Sequence, residues 1–188
     1  MTVSDSGATI AMDRLTAFNG PDLHDLCDAA DAAIQHGGGF GWLTPPPRQT
    51  METYWQGVLL VPERCLFVGR LDGVIGGSAQ LIRPTKNNEA QAHAATLTAS
   101  FVAPWARGHG MARALIVAVE DAAKEEGFAI VNLDVRETQR AAITLYERLG
   151  YRRWGTHPYY AHVGGQWTAG HFYSKVINAA LIAEGERR

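Results

Sequence analysis

A short turn in the middle of the chain has the residue types of an anion-binding site. Residues 101–115 read FVAPWARGHGMARAL, which predicts a strand, a glycine-containing turn and the start of a helix. Gly108 and Gly110 permit backbone conformations that other residues avoid, and they let a ligand approach closely. The first amides of a helix lack intrahelical partners and lie at the positive end of its dipole. Together with Arg107, they predict a site for a phosphate or pyrophosphate.

Three interpretations of this turn compete. A P-loop requires Lys followed by Ser or Thr after its last glycine, whereas Met111 and Ala112 stand there. A dinucleotide-binding turn favours Gly or Ala where Arg113 stands. Its fingerprint also has an acidic residue roughly 20 residues further on, and Asp134 lies at about that distance. The third interpretation is a tight turn that binds nothing. The glycine pair alone does not decide among them.

A second segment downstream adds the missing context. Residues 132–135 read NLDV and residues 142–151 read AITLYERLGY, which predicts a strand followed by a short helix. The turn and this segment together resemble the coenzyme A site of the GNAT superfamily of N-acetyltransferases. In that family the pyrophosphate loop reads Gln/Arg-x-x-Gly-x-Gly/Ala, and Arg107, Gly110 and Ala112 occupy its three positions. The helix matches the family pattern A-I-x-L-Y-E-x-x-G-F.

The resemblance implies how acetyl-CoA, the expected co-substrate, would bind. Its pantetheine arm would lie along the strand that ends at Val102, and its pyrophosphate on the turn. Gln139 stands where the family usually has Asn, which keeps the amide but lengthens the side chain. The cofactor-binding residues implied are Phe101, Val102, Arg107, Gly108, His109, Gly110, Met111, Ala112, Arg113, Gln139, Ala142 and Tyr146. No metal is expected.

The catalytic candidates are Tyr146, which the resemblance implies, and His93 and Asp134, whose side chains could act as the base. Tyr146 occupies the family's general-acid position. Because a phenol has a pKa of about 10 and a thiol about 8.5, a hydrogen bond to the leaving thiolate is easier than proton transfer. The base is open, since the strand before the turn carries no acid: His93, Glu89, Asp134 or a water chain could accept the proton. Histidine as a residue type suits a base near neutral pH, but His93 fits an ordinary surface residue equally well.

The family binds its acceptor against the first two helices and the last hairpin, which are rich in aromatic residues here. The substrate-binding residues expected are Trp42, Glu52, Trp55, Tyr159 and Tyr160. Glu52 could pair with an ammonium group, and Trp55 fits a core position equally well. Three histidines at positions 157, 162 and 171 lack the spacing of metal ligands on one helix or hairpin.

Composition limits the class of protein. The chain has 188 residues, 46% hydrophobic and 19% charged, with a net charge of -2. This size and composition predict one GNAT domain over residues 1–188, with a core at about 8–177 and a tail at 178–188. The charge argues against nucleic acid, and the longest apolar runs are too short to span a membrane. The N-terminus lacks signal-peptide features, and two cysteines suit reduced thiols in the cytoplasm.

The predicted elements give a mixed α/β sheet, mostly antiparallel, of about seven strands flanked by about four helices. Strands are predicted at 8–15, 65–71, 74–82, 94–102, 130–135, 151–156 and 172–177. Helices are predicted at 22–36, 49–60, 110–126 and 140–149, the first stopped by the glycines at 37–39. The stretch between the last two strands, which holds Pro158 and several glycines, is predicted to be a loop.

The leading hypothesis is transfer of an acetyl group from acetyl-CoA to a primary amine of a small molecule, by direct attack on the thioester. A narrower resemblance, to the tabtoxin-resistance type of bacterial GNAT, favours a small acceptor. It rests on FGWL at 40–43, LFV at 66–68, SAQL at 78–81 and YYA at 159–161. The alternatives are an acyl-CoA sensor or scaffold without catalysis and an acetyltransferase of peptide or protein N-termini. Both a monomer and a homodimer fit the sequence.

Overall fold

The computed structural model describes residues 7–38 and 40–185, so Gly39 and the two chain ends lie outside the described residues. The strands are β1 (Ile10–Leu15), β2 (Arg64–Leu71), β3 (Val74–Ile82), β4 (Ala94–Val102), β5 (Ile130–Arg136), β6 (Arg152–Val163) and β7 (Gln166–Val176). The helices are α1 (Asp22–Gln35), α2 (Arg48–Leu60), α3 (Met111–Glu125), α4 (Arg140–Arg148) and α5 (Ala179–Gly185). Helix α5 falls within the predicted tail, of which residues 186–188 are not described.

All seven strands belong to one sheet, in the order β1-β2-β3-β4-β5-β7-β6. Every neighbouring pair is antiparallel except β4 and β5. These two parallel strands pair only where Ala94–Thr96 lies beside Ile130–Asn132. Beyond that point the two strands separate. The mixed, mostly antiparallel sheet is confirmed, and the gap between β4 and β5 is its main irregularity.

Helices cover the two faces of the sheet unequally. The alternation of β4 and β5 places Leu97 and Leu133 in a core with α3 and α4. A second core lies between α1, α2 and strands β2 to β4, around residues such as Trp55 and Phe101. Among the described residues this second core includes none from β5, β6 or β7. The α1/α2 face of the sheet is therefore left without a helix over those strands.

The last hairpin differs from the sequence-based prediction. The predicted loop between residues 156 and 172 was wrong, because β6 and β7 run through it and meet at Gly164–Gly165, whose φ angles are +57° and +79°. Two residues with positive φ form the tight turn that suits a twisted hairpin. Pro158 is tolerated because β6 is an edge strand and its pairing is interrupted between His157 and Ala161.

Candidate active site

The separation of β4 from β5 opens a cavity of about 540 Å³, within the usual size range of small-molecule sites. Its walls come from β4, β5, α4, β6 and the segment after α1. A neighbouring cavity of about 380 Å³ lies beside the start of α3. The two share the lining residues Gly38, Ser100, Gln139, Ala142 and Tyr146. They therefore form one groove that leads from the glycine turn to the gap in the sheet.

The glycine turn has the backbone that the sequence predicted. Gly108 and Gly110 have φ angles of +87° and +79°, and a Cβ at either would face open space. The first helical hydrogen bond runs from the Ala114 amide to the Gly110 carbonyl at 3.1 Å, so the preceding amides of α3 have no intrahelical partner. The Arg107 Nε donates to the Val102 carbonyl at 3.2 Å, which holds its charge at the end of β4.

A bulge in β4 lies where the strand lines the cavity. Ser78 pairs with Phe101 and Gln80 pairs with Thr98, so β4 has one residue more than β3 between these pairs. Ala99 takes a φ of +48°, a conformation that costs a non-glycine residue on the order of 1–3 kcal/mol. Bulges redirect the backbone of a strand, and here Ala99 and the next residue line the cavity. No glycine marks this position, so the bulge could not be predicted from the residue types.

Tyr146 reaches the groove from α4. Its side chain is buried, packs edge-to-face on Tyr151 with ring centroids 5.8 Å apart, and lines both cavities. Burial raises the pKa of its phenol, the Ser100 hydroxyl opposes that rise, and the negative charge of Asp134 adds to it. Tyr146 is therefore a neutral hydrogen-bond donor at neutral pH.

Asp134 and Tyr160 form a pair at the same cavity. The exposed Asp134 carboxylate accepts a hydrogen bond from the Tyr160 hydroxyl. Burial raises the pKa of Tyr160, and the hydrogen bond to Asp134 raises it further, so the phenol stays protonated and donates. The carboxylate keeps one oxygen for a ligand.

Comparison with known proteins shows the family of the chain. The model of the acetyltransferase (GNAT) family matches residues 27–151. The chain belongs to the GNAT acetyltransferase family. A protein of Azospirillum brasilense named "Uncharacterized N-acetyltransferase in hisH-hisA intergenic region" is 68% identical over 131 residues, which cover 70% of this chain and 78% of that relative. Membership in this family confirms the predicted enzyme class.

Solved structures share the GNAT fold at low sequence identity. The yncA protein of Salmonella typhimurium, solved with its cofactor acetyl-CoA, has a TM-score of 0.71 at 16% identity, over 90% of this chain and 94% of that one. An N-acetyltransferase of Staphylococcus aureus Mu50 has a TM-score of 0.74 at 19% identity, over 92% of this chain and all of that one. These similarities establish the fold alone.

Several of the predicted site residues meet at the groove. The larger cavity is lined by Asp134, Gln139, Ala142, Tyr146 and Tyr160. Of the other predicted residues, Phe101, Val102, Arg107 and Ala112 line the smaller cavity. The Phe101 ring is buried and stacks on Phe40 at 5.0 Å, so only its backbone can face a ligand. Met111 likewise packs its side chain in the core. His109 is exposed on the turn, and Arg113 is exposed in the first turn of α3.

Other predicted residues lie away from the groove. His93 lies just before the opposite end of β4 and lines a different hollow. Seven residue steps along the strand, about 23 Å, lie between it and Ser100. Glu52 accepts a hydrogen bond from Arg48 at 2.9 Å and lines none of the cavities described here. Trp55 is fully buried in the α1/α2 core, in agreement with the core alternative.

The last two predicted residues are aromatic side chains outside the groove. Trp42 packs against Tyr54 with ring centroids 5.0 Å apart and lines a separate groove along α2. Tyr159 is 64% exposed and contacts Trp167 with ring centroids 5.8 Å apart. Neither ring lines the cavity that holds Asp134.

Gln139 holds the segment after α1 against the groove. Its Nε2 donates to the Gly37 carbonyl at 2.7 Å, and the Arg136 Nη2 approaches the same carbonyl at 3.4 Å. The adjoining residues Gly38 and Phe40 line the larger cavity. The sequence indicated only that these glycines end α1, so it missed this wall of the site.

The residues described give no sign of a metal centre or a membrane span. No group of three His, Cys, Asp or Glu side chains in ranges 7–38 and 40–185 could hold a metal ion. No helix in the same ranges is long and apolar enough to cross a membrane. Cys27 and Cys65 are buried, free thiols.

Proposed function

We propose that this chain transfers the acetyl group of acetyl-CoA to a primary amine of a small molecule, by direct attack of the amine on the thioester. The proposal rests chiefly on one observation: Asp134 and Tyr146 line the same cavity, at the gap between β4 and β5. One is a carboxylate that can receive a proton, and the other is a neutral donor. The cavity continues to the anion-binding turn.

The groove fits coenzyme A by its own chemistry. The unpartnered amides at the start of α3, the open space at Gly108 and Gly110 and the charge of Arg107 suit a pyrophosphate. The backbone at Val102 and the small side chain of Ala142 leave room for the pantetheine arm between β4 and α4. When bound, acetyl-CoA would supply the acetyl thioester.

Asp134 would bind the acceptor amine and take its proton. An alkyl amine is mostly protonated at neutral pH, so it attacks only after losing a proton. The Asp134 carboxylate can attract the ammonium group and accept that proton, directly or through water. Tyr160 donates to one carboxylate oxygen and so orients the other. Asp134 is favoured over His93 because only Asp134 lines the groove.

The β4 bulge and Tyr146 would stabilise the negative charges that develop during acetyl transfer. A backbone amide beside Ala99 can donate to the thioester oxygen as that oxygen becomes negative, an interaction worth roughly 2.7–4 kcal/mol in comparable sites. The Tyr146 phenol can donate a hydrogen bond to the departing sulfur, and the second proton, which the nitrogen loses as the amide forms, can pass to that thiolate directly or through water. Its raised pKa keeps the proton on the phenol, consistent with hydrogen bonding rather than full transfer.

The size of the cavity favours a small acceptor over a folded protein surface. About 540 Å³ is bounded by Phe40, Leu43 and Tyr160 among others, which suits a small molecule. The resemblance to the tabtoxin-resistance type points the same way. A flexible peptide end could also enter, and a sensor would bind acetyl-CoA without turning it over.

An acceptor screen with acetyl-CoA distinguishes these functions. The purified chain is mixed with acetyl-CoA and single amines (amino acids, polyamines, amino sugars and short peptides), and free thiol is measured over time. Steady thiol release with small amines is expected. Acetyl-CoA binding without release for any amine would indicate a sensor, and release with peptides alone would indicate an N-terminal acetyltransferase.

A further inference from the structure

A second hollow lies on the α1/α2 face of the sheet, over the strands that those helices leave bare. Its volume is about 610 Å³. The floor comes from β4, β5 and β7, one side from Trp154 on β6, and the other side from the segment between β3 and β4. The family match ends at residue 151, so Trp154 and β7 lie beyond it.

Three polar side chains form a row across the floor of this hollow. Thr96 pairs with Asn132, and Asn132 pairs with Ser174, on three consecutive strands. All three are partly exposed, and within the described ranges none has a side-chain hydrogen bond. Asn is also among the residues that strands disfavour. Sheet stability therefore does not explain this row, whereas a ligand that donates and accepts hydrogen bonds would.

The rim of the hollow carries Trp154 on one side, and His93, uncharged polar side chains and an ion-paired arginine on the other. Trp154 is 68% exposed although it packs against Phe172, with ring centroids 5.5 Å apart. Arg83 lines the hollow, but it donates to both oxygens of Glu126 at 2.5 and 2.6 Å. No carboxylate belongs to the lining. An uncharged, hydrogen-bonding ligand fits this lining better than an ion does.

The hollow lies next to the proposed catalytic cavity along β4 and β5. Asn132 and Asp134 are two residues apart on β5 and face the same side, which places them about 7 Å apart. Thr96 and Thr98 are likewise two residues apart on β4 and face the same side, and Thr98 lines the catalytic cavity. A molecule with its amine at Asp134 can therefore extend over Asn132 into the hollow.

We propose that this hollow binds the distal part of the acceptor, and that this part is an uncharged, polyhydroxylated ring or chain. The acceptor would then be an amino sugar or a similar amino polyol. Hydroxyl groups both donate and accept, so they match Thr, Asn and Ser side chains, and the exposed indole offers an apolar surface to the ring's C–H groups. The inference rests on the proposed function, since it assumes an amine at Asp134.

The test compares two ring amines on the full chain: glucosamine, which carries hydroxyls, and cyclohexylamine, which does not. Initial rates are measured with saturating acetyl-CoA for the wild type, Asn132→Ala and Trp154→Ala. Each substitution should lower kcat/KM for glucosamine by about tenfold, the loss expected for one or two hydrogen bonds or a ring contact. Neither should change kcat/KM for cyclohexylamine by more than about twofold. The control is Trp167→Ala, which removes a 62% exposed tryptophan of the same hairpin outside the hollow.

Other outcomes overturn the inference. Equal losses for both amines, or no loss for either, would show that the hollow does not recognise hydroxyls. Faster, Asn132-dependent acetylation of a short peptide such as trialanine would show that the hollow serves peptides instead. If the wild type acetylates no amine, the proposed function itself fails. If it acetylates both ring amines and both variants behave as wild type, only the inference about the hollow fails.

Discussion

The Tyr160 hydroxyl donates a hydrogen bond to the Asp134 carboxylate even though β7 runs between their strands. The Tyr160 ring crosses β7 above Gly170, where a Cβ would lie 2.1 Å from the ring. The interrupted pairing of β6 around Pro158 accompanies this crossing. A side chain of the edge strand β6 thereby supports the Asp134 carboxylate, which faces the gap between β4 and β5.

Asp134→Asn should remove the proton acceptor without removing the side chain. We expect kcat/KM for the amine to fall about a hundredfold, the lower end of the range for general-base catalysis, with coenzyme A affinity unchanged. Because higher pH deprotonates the amine, the variant's rate should approach the wild-type rate as pH rises. Rates across a pH series, with calorimetry for coenzyme A, test this. A pH-independent defect would exclude Asp134 as the proton acceptor.

Gly170→Ala should displace Tyr160, because a methyl group there would collide with the aromatic ring. We expect the loss of kcat/KM to match that of Tyr160→Phe, and the two substitutions combined to cost little more than either alone. Gly155→Ala is the matched control, since its added carbon would meet Phe172 at an ordinary 3.9 Å. Wild-type kinetics in Gly170→Ala would show that Tyr160 does not support Asp134.

Gly110→Val should weaken coenzyme A binding, because valine resists the φ of +79° at the start of α3 and the amide cradle would change shape. Gly127→Val is a control at the other end of the same helix, where φ is +86° and a Cβ also meets open space. Both should lose on the order of 1–2 kcal/mol of unfolding free energy. Only Gly110→Val should raise the Kd for coenzyme A. Equal affinities in the two variants would refute the cradle.

Tyr151 should make the fold sensitive to alkali. Burial raises the pKa of its phenol above the ordinary value, and Glu120 adds to the rise. A group with a raised folded-state pKa contributes its full stability below the unfolded pKa, about 10 for tyrosine, and loses it as pH increases further. Urea unfolding should therefore show a free energy that falls above about pH 10, less steeply in Tyr151→Phe. Identical slopes for the two proteins would contradict this assignment.

The local structure of the proposed coenzyme A site could be predicted from the sequence because its determinants are local. Arg107 to Ala112 depend on glycine conformations and the amides of one helix start, and Tyr146 depends on a motif within one helix. The β4 bulge could not be predicted, since Ala99 carries no signature and its conformation follows from the pairing with β3.

The part of the site proposed to bind the acceptor amine depends on tertiary structure. The motif named the elements around the acceptor but not which side chain on each element faces the groove. Trp42, Tyr159 and Tyr160 were all expected there, whereas only Tyr160 of these three lines the larger cavity, together with Phe40. Pro158 indicated a loop because the sequence does not show that β6 is an edge strand. The contact between Tyr160 and Asp134 exists only once three strands are in register.

The central claim is acetyl transfer at the cavity shared by Asp134 and Tyr146, and turnover by the wild type and Tyr146→Phe tests it most directly. Thiol release and acetylated amine are measured together, with acetyl-CoA and one small primary amine that serves as a substrate. We predict equal amounts of thiol and acetylated amine from the wild type. In Tyr146→Phe we predict a kcat reduced about a hundredfold, the loss typical of removing one hydrogen-bond donor to a developing negative charge, at unchanged coenzyme A affinity. Wild-type turnover in Tyr146→Phe, or thiol release without acetylated amine, would contradict the account.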